Sequence, residues 1–151
     1  MWYNRVVRDM AALPMALDYY NAELDAAQIE TRITGSLEKN AQDLPGHTTH
    51  RFTQLQDVES ILKHLNVRYD KKRSELYRKF TEHYNRDLSD RAIEKYLDGE
   101  QPLCDMHDII GEVAHVRNRY LGLMKGLETK NWQISNIIKL RVIGLENSQL
   151  D

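Results

Sequence analysis

Residues 63–79 carry the clearest chemical signal in the 151-residue chain. Lys63, Arg68, Lys71, Lys72, Arg73, Arg78 and Lys79 stand there against two acidic residues, and Tyr69, Tyr77, Phe80 and Tyr84 lie among or just beyond them. Basic side chains neutralise phosphates and release counterions, while aromatic rings offer faces on which unpaired bases stack, so the combination suits a single strand. The plainer reading is a solvated basic helix face with its rings turned inward. Tyr69 and Phe80 fall on an apolar stripe and follow that second reading.

Other clusters are poorer. Cys104 and His107 are one helical turn apart with Asp108 and His115 nearby, and His47 and His50 share a segment read as a loop. A zinc site needs about four convergent ligands, and these residues never form two clean pairs, so no metal is expected. Asp108 followed by Glu128-Thr129-Lys130 has the residue types of a metal-dependent nuclease. On one helix, however, the two pieces lie about 30 Å apart at 1.5 Å per residue. The chain has no glycine-rich phosphate loop, nucleophile elbow or paired catalytic carboxylates. No catalytic residue and no cofactor are expected, and the chain does not read as an enzyme.

Composition narrows the class. Seven Gly and three Pro leave little material for the turns of an all-β fold. The charged fraction is 29%, and no apolar run approaches the roughly 20 residues of a membrane span, so no membrane partner is expected. Met1-Trp2-Tyr3-Asn4-Arg5 lacks the apolar core of a secretory signal, and a single cysteine fits a reducing compartment. The expected location is cytoplasmic. Net charge is −2, but residues 1–50 hold 4 basic against 7 acidic side chains, so the positive field is local to residues 63–79.

These side chains must be positioned by helices. Leu17, Tyr20, Leu24 and Ala27 share one helical face, which predicts a helix from about Pro14 to Thr34 ending near Gly35. Before it, Trp2, Tyr3, Val6, Val7 and Met10 form either a short helix or an arm that docks its aromatics on a neighbour. Periodicity lapses from Gly35 to His50, and Asp43-Leu44-Pro45-Gly46 reads as a turn in a linker. Thr53 with Gln56 has capping-box spacing, and Leu55, Val58, Leu62, Leu65, Tyr69, Leu76 and Phe80 predict a helix from about Thr53 to Tyr84. Ser89 or Asp90 caps a short helix ending at Asp98-Gly99. Pro102 then fits the first turn of a long last helix, with a kink or turn expected at Glu128-Thr129-Lys130-Asn131.

That last helix carries a seam: Ile109, Val113, Val116, Tyr120, Leu123, Leu127, Lys130, Ile134 and Ile137 alternate in steps of three and four. All but Lys130 are apolar. Ile110, Leu121, Met124 and Ile138 widen the stripe beyond what one partner helix covers, which predicts a bundle or an oligomer. The expected fold is therefore all-α: a single elongated helical bundle with a long, oligomerising C-terminal helix. Its segments are 1–45 (N-terminal helical segment), 46–100 (basic helix and connector) and 101–144 (oligomerisation helix).

Leu127-Glu128-Thr129-Lys130-Asn131-Trp132-Gln133-Ile134-Ser135-Asn136-Ile137-Ile138, closing with Gly144, resembles the end of the UvsY family, the recombination mediators of T-even-type phages and their relatives. Lys71 to Tyr84, leading into His83-Tyr84-Asn85, is similar to that family's basic helix. The acidic Tyr96-Leu97-Asp98-Gly99-Glu100 is similar as well. The resemblance covers roughly residues 50 to 144, and the first 45 residues do not fit the family pattern. It implies a homo-oligomer built through the C-terminal helix that binds single-stranded DNA, displaces single-strand-binding protein and helps to load a RecA-like recombinase in the host cytoplasm.

Arg78 and Lys79 match the family's DNA-contacting basic pair. With Lys71, Lys72, Arg73, Tyr77 and Tyr84 they make up the expected DNA-binding set. Val113, Val116, Tyr120, Leu123, Leu127, Trp132, Ile134 and Ile137 are the expected oligomerisation residues. The rival reading is a helical structural or adaptor protein whose basic helix is merely solvated.

Overall fold

A computed structural model describes residues 1–83 and 88–145. All regular structure among them is helical: α1 (Trp2–Arg8), α2 (Leu13–Ala27), α3 (Leu37–His83), α4 (Asp90–Asp98) and α5 (Gln101–Val142), with 3-10 turns at Met10–Ala12 and Gln28–Thr31. The all-α class is as the sequence implies. The N-terminal residues choose the helix over the free arm. Val6 is fully buried, and the backbone N–H groups of Trp2 and Tyr3 donate to Oδ2 of Asp57 at 2.8 and 3.3 Å.

Two expectations about helix breaks are corrected. Residues 37–83 form one helix that passes through Pro45-Gly46 without interruption, where the turn chemistry predicted a linker and a segment boundary. Proline inside a helix costs about 3 kcal/mol through a lost backbone bond and a ring clash. Tertiary anchoring outweighs it: Leu44 is buried, and buried Asn40 donates to Thr34 O at 2.7 Å and Ser36 O at 2.8 Å. Thr53 is accordingly interior to α3 and donates to Thr49 O rather than capping anything. Gly35, at φ 71°, supplies the left-handed turn just before α3.

The kink expected at residues 128–131 is also absent, because Lys130 is buried on the seam and its Nζ donates to Glu30 O at 2.9 Å. Its charged end serves a carbonyl of the tight turn that follows α2, which itself stops at Ala27 rather than Thr34. Close approach there needs a small residue: a Cβ on Gly126 would stand 3.0 Å from Thr31 Cγ2.

Helix ends obey their local chemistry. Ser89 Oγ accepts from Ala92 N to cap α4, and Gly99 follows its last turn. Pro102 lies in the first turn of α5. At the far end Gly144 (φ 72°) closes a Schellman motif, with Leu145 N donating to Leu140 O and Gly144 N to Arg141 O.

The core has two parts. In the larger, Leu13, Ala16, Tyr20, Leu24 and Ala27 of α2 meet Leu55, Val58, Ile61 and Leu65 of α3 and the α5 seam. Six of the expected oligomerisation residues, Val113, Val116, Tyr120, Leu123, Leu127 and Ile134, are buried in it. The wide stripe is thus covered largely within the chain, by two helices rather than one. Trp132 remains 62% exposed and Ile137 half-buried. The smaller part joins Leu76, Ile93, Leu97 and Leu103 where α3, α4 and α5 meet.

Polar contacts fix the register of the larger core. Arg51, 6% exposed, donates to Glu23 Oε2 and Glu30 Oε1 at 2.6 Å each and to Gln54 Oε1 at 2.8 Å. Gln54 also donates to Glu23 and accepts from Tyr120 Oη at 3.2 Å. Glu23 sits below its ordinary acidity of 4.5, chiefly through the Gln54 hydrogen bond and then Arg51. Burial raises Glu30, but the Arg51 contacts outweigh it and the net shift is also downward.

Lowered carboxylate values mean stability that is full above about pH 4.5 and lost as pH falls through the folded-state values. Urea midpoints should therefore decline on acidification below about pH 5. Arg51→Ala, which strands two carboxylates, should cost about 3–5 kcal/mol at pH 7 and show a flatter acid decline. A variant as stable as the parent would contradict this account.

Candidate nucleic-acid interface

The last five turns of α3 meet α4 and the start of α5 on one side only, and that division sorts the candidate residues. Tyr69, Tyr77 and Phe80 are half-buried against the smaller core. Phe80 stacks on Tyr96 with centroids 5.8 Å apart and planes at 19°. Tyr69 lies 6.5 Å from the His107 ring. Tyr77 Oη donates to Asp90 Oδ1 at 3.0 Å, a bond that raises the phenol above its ordinary value. These rings join α3 to α4 and α5. Tyr84 falls outside the described residues.

The cations divide as well. Arg73 is half-buried and pairs with Glu94 and, at 3.4 Å, with Asp98, so it clamps α4 onto α3. Lys72 Nζ is 3.9 Å from Glu75 on its own helix. Arg68, Lys71, Arg78 and Lys79 are exposed and form no ion pair among the described residues. Helical spacing sets these four on one face with Glu75 and Glu82 between them, and four cations against two carboxylates leave a net positive strip. The structure thus brings Arg68 to the expected Lys71, Arg78 and Lys79, and sets Arg73 and Tyr77 apart in the α3–α4 contact.

The remaining candidates do not converge. Among the described residues, no group of three or more His, Cys, Asp or Glu could hold a metal ion. His47 and His50 lie on α3 and face Glu30 at 3.3 Å and Glu23 at 3.7 Å. Asp108 and Glu128 sit on the same unbroken helix, α5. No described helix is long and apolar enough to cross a membrane.

Sequence reading missed a second feature. Trp2, Arg5, Tyr19, Tyr20, His50, Thr53, Gln54 and Asp57 line a cleft of about 370 Å³ where α1 and α2 meet α3. The signal was present in Arg51, Gln54 and Asp57, polar residues at the same three- and four-residue steps as Leu55, Val58 and Ile61. A polar side chain on a buried face needs partners, and the partners these three find beyond α3 lie in α1, α2, the turn after α2 and α5.

Comparison with known proteins finds no matching family model, no similar curated protein and no similar solved structure.

The division of the cations is directly testable. Arg73→Ala should lower the melting temperature by about 2–4 °C, the scale of losing roughly 1 kcal/mol of half-exposed pairing in a chain of this size. Arg78→Ala should leave it unchanged. Equal shifts in thermal melts would deny Arg73 its clamping role.

Proposed function

We propose that the chain binds single-stranded DNA through the exposed face of α3 and acts as a non-enzymatic recombination mediator. The observation that carries the binding step is the set of four exposed cations, Arg68, Lys71, Arg78 and Lys79, without an ion-pair partner among the described residues, on one side of a helix whose other side is locked by α4 and α5. Each phosphate they neutralise releases counterions, and a rigid helix presents them without ordering a loop first. The resemblance of residues 50 to 144 to the UvsY family supplies the rest of the reading: displacement of single-strand-binding protein and loading of a RecA-like recombinase, in the cytoplasm of a phage-infected host.

Assembly into a homo-oligomer belongs to the same proposal. Its support is the end of α5, where Trp132, Ile138, Leu140 and Val142 are exposed and Ile137 is half-buried. Apolar surface gathered at one helix end marks an interaction site more often than scattered exposure does. An assembly would set several basic strips along one strand, and linked weak sites bind far more tightly than one.

A helical adaptor remains the second reading, favoured by the packing of Tyr69, Tyr77 and Phe80 against the smaller core, where they cannot stack on bases. Anisotropy of a labelled oligo-dT strand separates the two. The mediator reading expects binding with a log–log salt slope of about −3 for four phosphate contacts per chain. Replacing Arg68, Lys71, Arg78 and Lys79 with Ala should abolish that binding with the fold intact. No binding at low salt would leave the adaptor.

Sedimentation with circular dichroism tests the assembly. Trp132→Asp combined with Val142→Asp should disperse the oligomer at unchanged helicity. Leu127→Asp, inside the core, should instead unfold the chain, because it buries a carboxylate without a partner. Dispersal without unfolding by Leu127→Asp would contradict its place in the core.

A further inference from the structure

The cleft between α1, α2 and α3 has the parts of a base-binding site. Trp2 and Tyr19 flank it with ring centroids 5.9 Å apart and planes at 44°, and the Arg5 guanidinium lies 4.8 Å from the Trp2 ring centroid at the rim. Asp57, only 4% exposed, forms part of the wall. Its Oδ2 accepts from Trp2 N, Tyr3 N and Tyr20 Oη, whereas its buried Oδ1 has no hydrogen-bond partner among the described residues. A buried carboxylate oxygen without a donor is costly, and buried polar atoms in folded proteins nearly always have one.

We infer that this cleft holds one nucleobase of a bound single strand. Its ring rests against Tyr19 beside Trp2, the exocyclic amino group of cytosine, adenine or guanine donates to Asp57 Oδ1 once the carboxylate turns from the wall toward the cleft, and Arg5 meets a flanking phosphate. The inference rests on the reading of the α3 face as a single-strand-binding surface. Continuity along α3 ties the two together. Residues 50, 53, 57, 64, 68, 71, 75, 78 and 82 recur at steps of three or four with one step of seven, so the cleft and the exposed cations share one helix face. From Thr53 to Lys79 that face runs about 39 Å at 1.5 Å per residue, enough for several nucleotides. A small organic cation would also suit rings beside a carboxylate, but Arg5 already brings a positive charge to the Trp2 ring and would repel it, and the strip beyond the cleft is positive.

The test uses the full chain carrying Trp132→Phe, which leaves Trp2 as its single indole reporter. Oligo-dC and oligo-dT of equal length are titrated while Trp2 fluorescence and strand anisotropy are followed. Oligo-dC should quench Trp2 and bind about tenfold more tightly than oligo-dT, whose thymine carries no exocyclic amino group. Tyr19→Ala, at a 41% exposed position, should erase that preference, so that the two strands bind alike. Equal affinities with Trp2 undisturbed would overturn the cleft and leave the α3 surface standing. Binding of neither strand would overturn both.

Discussion

The guanidinium of Arg51, held between Glu23 and Glu30 inside the helix packing, is the interaction on which the rest of the structure depends. It joins α2 to α3, and through Gln54 and Tyr120 it sets the register of α5 against both. Lys130 adds a second tie from α5 to Glu30 O. Buried ion pairs contribute little net stability, because desolvation offsets their attraction, yet removing one partner is costly. Their consequence here is register: the polar atoms are satisfied in only one alignment of the three helices. That alignment also sets Trp2 and Tyr3 on Asp57 and leaves the second half of α3 to α4 and the start of α5.

Rings and cations on α3 illustrate how packing reassigns chemistry. Tyr69, Tyr77 and Phe80 look in sequence like stacking platforms, but burying them contributes more than exposing them, since each aromatic brings a large apolar area to the small α3–α4–α5 core. Arg73 is drawn to Glu94 and Asp98 across the same contact. What is left for a ligand is charge, carried by Arg68, Lys71, Arg78 and Lys79. The rings available to a base lie instead in α1 and α2, as Trp2 and Tyr19.

Periodicity made much of the fold legible. The α5 seam, the α4 cap at Ser89 and the start of the last helix near Pro102 are where local chemistry put them. Pro45-Gly46 misled because turn propensity is a local cost of a few kcal/mol, and the anchoring of Leu44 and Asn40 outweighs it. The suspected kink at Lys130 failed for a related reason: a lysine on a seam looks like a defect until its acceptor, Glu30 O, is known, and that carbonyl lies 100 residues away. Asp57 was illegible as part of a site because its partners come from α1 and α2, whose placement no local pattern specifies. Of the expected DNA-binding residues, the exposed ones were legible as a charge run, and the role of Arg73 was not.

Lysine-reactivity footprinting with and without a single strand tests the central claim most directly, because it reports which surface is covered rather than that binding occurs. Lys71 and Lys79 should lose reactivity when oligonucleotide is bound, while Lys125, exposed on α5, keeps its own. Protection of Lys125 with Lys71 and Lys79 unchanged would contradict the assignment of α3 as the binding surface.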